Sequence, residues 1–106
     1  MITDAQLESA LSYLSETDEE AAELKASVER QEYKLKRMKA TVFKMSAGTV
    51  AERQAEAEIH ETVQGAQDDH VEAIKAFNTV ANRRDTQILI VEVWRSVNSA
   101  RKKGLM

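Results

Sequence analysis

The apolar positions of this chain recur at alternating spacings of three and four, the period of an α-helix that buries one stripe. From residue 21 to residue 45 the set Ala21, Leu24, Val28, Gln31, Leu35, Met38, Val42 and Met45 keeps that alternation without a lapse, with Gln31 as its one strongly polar member. A seam sustained this far belongs to a coiled coil, because each three-four step keeps the stripe turned toward a neighbouring helix. Leu7, Leu11 and Leu14 form a shorter stripe before it. Ile59, Val63, Ala66, His70, Ala73, Phe77 and Val80 form another after it.

Helix starts are written in one chemical form. Thr3 with Gln6, Thr17 with Glu20, and Thr49 with Glu52 each match Ser/Thr-x-x-Glu/Gln. In that pattern a hydroxyl accepts an early N–H while the later side chain reaches back. These signals predict helices over about 4–15, 18–46 and 50–100. Gly48 can take the left-handed conformation that ends a helix, and Thr49 caps the next one. So short a connection makes the flanking helices antiparallel neighbours. The expected fold is all-α: one domain over 1–106, a long antiparallel helical hairpin of coiled-coil type with a short N-terminal helix.

A turn at Gly48 sets the register. It places Leu35 opposite the region of Ile59, Val28 opposite Ala66, Leu14 near Ala81 and Leu11 near Arg84. The first helix then continues the second past a kink at Ser15-Glu16-Thr17. Charge agrees with this pairing. Between Arg30 and Lys44 lie Arg30, Lys34, Lys36, Arg37, Lys39 and Lys44 against the single acid Glu32, whereas the facing arm carries Glu52, Glu56, Glu58 and Glu61 against Arg53. Opposite charges of this kind help fix orientation and register. Gln31 either specifies register or sits at an exposed edge beside Gly65.

One stretch carries more apolar surface than a hairpin can bury. Ile88-Leu89-Ile90-Val91 with Val93, Trp94 and Val97 is apolar around most of a helix, although a helix with one neighbour needs one stripe only. Burial by a second chain accounts for the excess, so the chain is expected to form a homo-oligomer. Ile88, Val91, Trp94, Arg95 and Val97 are the expected interface, with Trp94 and Arg95 as residue types enriched at binding hot spots.

Composition narrows the chemistry. The absence of proline leaves the helices unbroken by that residue, and the absence of cysteine excludes disulfides and thiolate zinc sites. No apolar run reaches the length of a membrane span, and Met1-Ile2-Thr3-Asp4 lacks the features of a signal peptide. His60 and His70 have no metal-ligand spacing, and Asp68-Asp69 before His70 lacks the pocket that would tune an acid or base. The expectation is therefore no catalysis, no cofactor and no metal. With a net charge of −3 the chain has no global pull toward nucleic acid. Its local basic sets, Arg30, Lys34 and Arg37 and then Arg101, Lys102 and Lys103, are the candidates for phosphate contact.

Several segments in order, Thr17-Asp18-Glu19-Glu20, the basic stretch from Lys34 to Ala40 with Phe43, Gly48-Thr49-Val50-Ala51-Glu52-Arg53, and Val93-Trp94-Arg95-Ser96 with Arg101-Lys102-Lys103-Gly104, resemble a family of small phage-encoded all-helical proteins. Asn98 and Arg101 belong to the same pattern. Such proteins sit among recombination and replication genes. The resemblance thus implies an accessory or adaptor that binds a phage or host protein in the cytoplasm of the infected bacterium. Two other readings stand beside it: a direct nucleic-acid binder using the basic surfaces, and an inhibitor of a host or defence protein.

Overall fold

The computed structural model describes residues 1–104. Their regular structure is helical throughout, as α1 (Asp4–Met45), α2 (Val50–Ile59) and α3 (Glu61–Gly104). Stretches of α1 lie antiparallel on α3, which makes the fold a helical hairpin. The chain packs as two compact units, one formed by Met1–Ala22 with the segment from Asn78 on, the other by Glu23–Phe77.

In the first unit α1 starts on a complete capping box. The Thr3 N–H donates to Gln6 Oε1 at 2.8 Å, and the Gln6 N–H donates to Thr3 Oγ1 at 3.1 Å. The break expected at Ser15-Glu16-Thr17 is absent, and 4–15 and 18–46 are one helix. Thr17 does not cap anything. Its hydroxyl donates backward to the Tyr13 carbonyl at 2.7 Å, as a threonine inside a helix does. Its propensity cost of a few tenths of a kcal/mol cannot stop a helix whose packing continues on either side. That packing runs through Leu7, Ala10, Leu14, Thr17 and Ala21, with Ala10 fully buried, while Leu11 stays 49% exposed. The inward stripe thus passes through Ala10 instead of Leu11.

Charge is divided between the two arms of this unit. Up to Ala22, α1 carries Asp4, Glu8, Glu16, Asp18, Glu19 and Glu20 and no base. From Asn78, α3 carries Arg83, Arg84, Arg95, Arg101, Lys102 and Lys103 against Asp85 and Glu92. In the second unit the signs are exchanged, with α1 basic and the returning arm acidic. Lys34 and Asp69 approach to 3.8 Å, and Lys39 and Glu58 to 3.6 Å. Each exposed pair contributes little by itself. Together they oppose a parallel arrangement, which would set like charges side by side.

The second unit holds the turn. Gly48 has φ +112°, and Thr49 accepts the Glu52 N–H on its hydroxyl at 3.2 Å to start α2. Arg53 then locks the end of α1. Its Nε donates to the Phe43 carbonyl at 3.0 Å while its guanidinium lies 4.2 Å from the Phe43 ring centre. One carbonyl in the last turn of α1 thereby gains a charged donor, and the aromatic face gains a cation. The core here is Val42, Ala57 and Val63, flanked by Leu35, Met38 and Phe43. Two residues expected in the seam lie outside it. Met45 is 81% exposed where α1 ends, and Ile59 is 67% exposed as the last residue of α2.

The expected single helix over 50–100 is interrupted at His60, whose ψ of 137° is extended, and α3 runs on to Gly104. His60 serves both helices. Its N–H donates to the Glu56 carbonyl at 2.9 Å, its carbonyl accepts from Val63 and Gln64, and its Nδ1 accepts the Thr62 N–H at 3.2 Å. The histidine thus replaces the lost ladder bonds and caps α3. Because Glu61 is the first residue of a new helix and follows an extended residue, Glu61→Pro is expected to leave the melting temperature unchanged or slightly raised. In an unbroken helix the same change would cost about 3 kcal/mol. Thermal denaturation followed by circular dichroism distinguishes the two.

Register shifts as well. Arg84, expected beside Leu11, reaches Leu14, Thr17 and Asp18 instead. An arm made of two helices joined at an extended residue does not advance like one straight rod. Gln31 lies half-buried on the inward face of α1, and its Oε1 is buried with no hydrogen-bond partner. The carbonyl is therefore not at an exposed edge.

Candidate protein-binding face

The candidate site follows from how α3 divides its side chains in the first unit. Val80, Arg84, Gln87, Val91, Trp94 and Asn98 keep the three-four spacing and are all half-buried, so they form its inward stripe. Two of these places go to long polar side chains. Arg84 fits because α1 offers it acceptors: Nη1 donates to the Leu14 carbonyl at 2.8 Å and to Thr17 Oγ1 at 2.7 Å, and Nη2 donates to Asp18 Oδ1 at 3.3 Å. The guanidinium stays satisfied and 82% of its side-chain surface is covered, given its 18% exposure.

With the inward stripe so occupied, several apolar residues turn outward. Ile88 is 41% exposed, Leu89 59%, Val93 42% and Val97 39%. Leu89, Val93 and Val97 follow one another at spacing four, which aligns them along one face of the helix. At about 100° per residue Leu89 lies opposite the inward stripe, and Val93 and Val97 step from there toward the flank of that stripe. Isolated exposed apolar residues are ordinary, whereas a row of them along three turns marks a contact surface.

The five residues expected at an interface separate into two groups. Val91 and Trp94 are half-buried on the inward side, while Ile88, Arg95 and Val97 are exposed. Trp94 lines a small cavity with Met1, Ile2, Asp4, Val93, Val97, Asn98 and Arg101, so Val93 and Val97 border the first residues of the chain on one side, and Arg101 Nη2 lies 3.2 Å from Met1 Sδ. The Trp94, Asn98 and Arg101 pattern therefore holds the residues that lead into α1. Leu89 and Val93 belong to the over-apolar stretch read from the sequence but were not among the five expected interface residues. Carrying the three-four spacing forward from Val80 through Arg84 and Gln87 would have identified them, since it leaves both outside the stripe.

Two of the basic candidates lie in exposed ion pairs. Arg30 pairs with Glu23 at 3.7 Å and Lys34 with Asp69 at 3.8 Å. Arg37 has no ion pair among the described residues, nor do the exposed Lys102 and Lys103 in the last turn of α3. Basic residues at a helix C-terminus also complement its dipole. Comparison with family models, with curated proteins and with solved structures gives no match.

The remaining polar candidates have structural positions. His60 caps α3 as described, and His70 is half-buried on the inward side of α3. Among the described residues no three His, Cys, Asp or Glu side chains converge as a metal-binding group. The segment from Gly48 to Arg53 performs local work. It supplies the left-handed turn residue, the cap of α2 and the clamp on Phe43.

Proposed function

We propose that this chain is a non-enzymatic binding protein whose contact face is the exposed row of α3 formed by Leu89, Val93 and Val97. The observation that carries the reading is the exposure of these three large apolar residues at spacing four on one short stretch of helix. A helical face of this kind is read by a partner through anchors at helical spacing. On the resemblance described above, the setting is an accessory or adaptor in phage DNA recombination or replication.

A paired substitution tests the reading. Leu89→Lys with Val97→Lys changes only exposed positions, so helicity by circular dichroism is expected to stay intact. Proteins cross-linked to the tagged wild-type chain in infected cells are expected to be lost with this variant. Equal recovery by both chains would overturn the proposal. So would retention of DNA that the added lysines strengthen and salt abolishes, since that behaviour belongs to a phosphate-binding surface.

A further inference from the structure

In the second unit the outer face of α1 carries a row of side chains that the α3 contact face does not involve. Arg30, Tyr33, Arg37 and Lys44 follow one another at helical spacings, with Lys34 and Thr41 beside them, and all six are exposed. At about 100° per residue they share an arc of roughly 100°, well round the helix from Leu35, Met38 and Val42. From Ala26 to Met45 no acid falls within this arc, because Glu29 and Glu32 lie to one side of it. We propose that this face binds single-stranded nucleic acid, with phosphates on the cations of the row and one nucleobase stacked on Tyr33.

Charge draws a phosphate backbone to the row. From Arg30 to Lys44 the cations extend about 21 Å along α1, the reach of several phosphates. Arg37 and Lys44 have no ion pair among the described residues. Arg30 and Lys34 have partners, Glu23 at 3.7 Å and Asp69 at 3.8 Å, yet every side chain of these two pairs is at least 46% exposed. Pairs so open to water hold weakly, and a phosphate can take the place of the carboxylate. The net charge of −3 does not cancel the row, since charges further off than roughly 10 Å are largely screened at ordinary salt.

Tyr33 selects the kind of polyanion. Its side chain is 67% exposed and stands between Arg30 and Arg37, about one turn from each. Lys36 approaches the ring centre only to 6.0 Å, the outer limit of a cation–π contact. An open ring among cations is what holds a single strand without regard to sequence, because every unpaired base has a face to stack. Bases inside a duplex are already stacked and would leave the ring unused. A duplex groove around α1 would also turn its second backbone toward Glu29 and Glu32. A lipid surface calls for large aliphatic side chains to insert, and the row has none. An acidic peptide would satisfy the cations and leave the ring idle.

Fluorescence anisotropy of a labelled oligo(dT) of about 12 nucleotides, titrated with the full chain over a salt series, is the test. Binding is expected at low salt and is expected to weaken steadily as salt rises. Arg30→Gln together with Arg37→Gln should lower the slope of log affinity against log salt by about 1.4. Tyr33→Ala should weaken binding about tenfold with that slope unchanged, while Tyr33→Phe retains it. These positions are exposed, so helicity by circular dichroism is expected to stay intact in every variant. An oligo(rU) of the same length is expected to bind as oligo(dT) does, since the row meets phosphate and base and not the sugar. Absence of binding at low salt, indifference to Tyr33→Ala, or tighter binding of a duplex of equal length would overturn the inference. Displacement by polyglutamate or by anionic vesicles as effective as that by unlabelled oligo(dT) would do the same. The Leu89→Lys, Val97→Lys variant is expected to hold the oligonucleotide as the wild type does while losing its cross-linked proteins. Tyr33→Ala is expected to keep those proteins, so the two surfaces stand or fall separately.

Discussion

Replacing Val63 by aspartate is expected to lower the stability of the chain by about 4 kcal/mol, and replacing it by alanine by about 2 kcal/mol. Val63 is 1% exposed, the largest fully buried side chain among the described residues, and it packs with Val42 and Ala57 between Leu35, Met38 and Phe43. Alanine removes methyl groups and leaves a small void. Aspartate adds a charge in a place that offers apolar neighbours, and burying an ion without a partner is the costlier insult. Two effects oppose each other at this position. Val63 is third in α3, where a carboxylate gains up to about 1 kcal/mol from the helix N-terminus. The burial penalty is several times larger and decides the sign. Urea denaturation followed by circular dichroism measures the loss as a lower midpoint. A midpoint unchanged by aspartate would mean that this core opens to water.

Gly48→Val is expected to cost about 3 kcal/mol. Two causes combine there. The φ of +112° lies where side chains with a Cβ are strained, and a β-branched residue suffers most. A Cβ at this position would also run into the Glu52 carboxyl group. Pairing Gly48→Ala with Glu52→Ala separates the causes. The steric part is relieved when the carboxylate is removed, whereas the backbone strain persists. Thermal melts of both single variants and of the pair are expected to show that more than half of the loss remains. Full rescue by Glu52→Ala would place the cost in the clash alone.

These two positions differ in how they could be read from sequence. Gly48 was legible because a glycine between two periodic segments, followed by Thr-x-x-Glu, is a local signal. Capping and turn geometry depend on a few adjacent residues. Val63 was legible as a seam position through its spacing to Ala66. Its degree of burial depended on Ala57, and not Ile59, being the buried residue of α2, which spacing did not reveal.

The errors have a common origin. Thr17 resembled an N-cap because the same hydroxyl chemistry serves both helix starts and helix interiors, and the surroundings choose between them. Arg84 was placed near Leu11 by register alone, and no inward role was read for Gln87. Arg84 reaches three oxygens on α1 through its own length, so the seam could accept a charge. Once it did, Leu89 and Val93 were turned outward. Their hydrophobicity alone had suggested only that the whole stretch was too apolar for one neighbour.

The sequence by itself determined that this chain is helical, where its reversal lies and that its arms run antiparallel, because propensity, capping, period and opposite charge are local or summed properties. Only the tertiary structure decided that residues 4–45 are one helix, that the returning arm is interrupted at His60, and which apolar residues of α3 are left uncovered. The last of these turns on whether a polar side chain finds acceptors across the helix pair. That is a matter of distance between residues such as Leu14 and Arg84, far apart in the chain, and no spacing along one strand of sequence contains it.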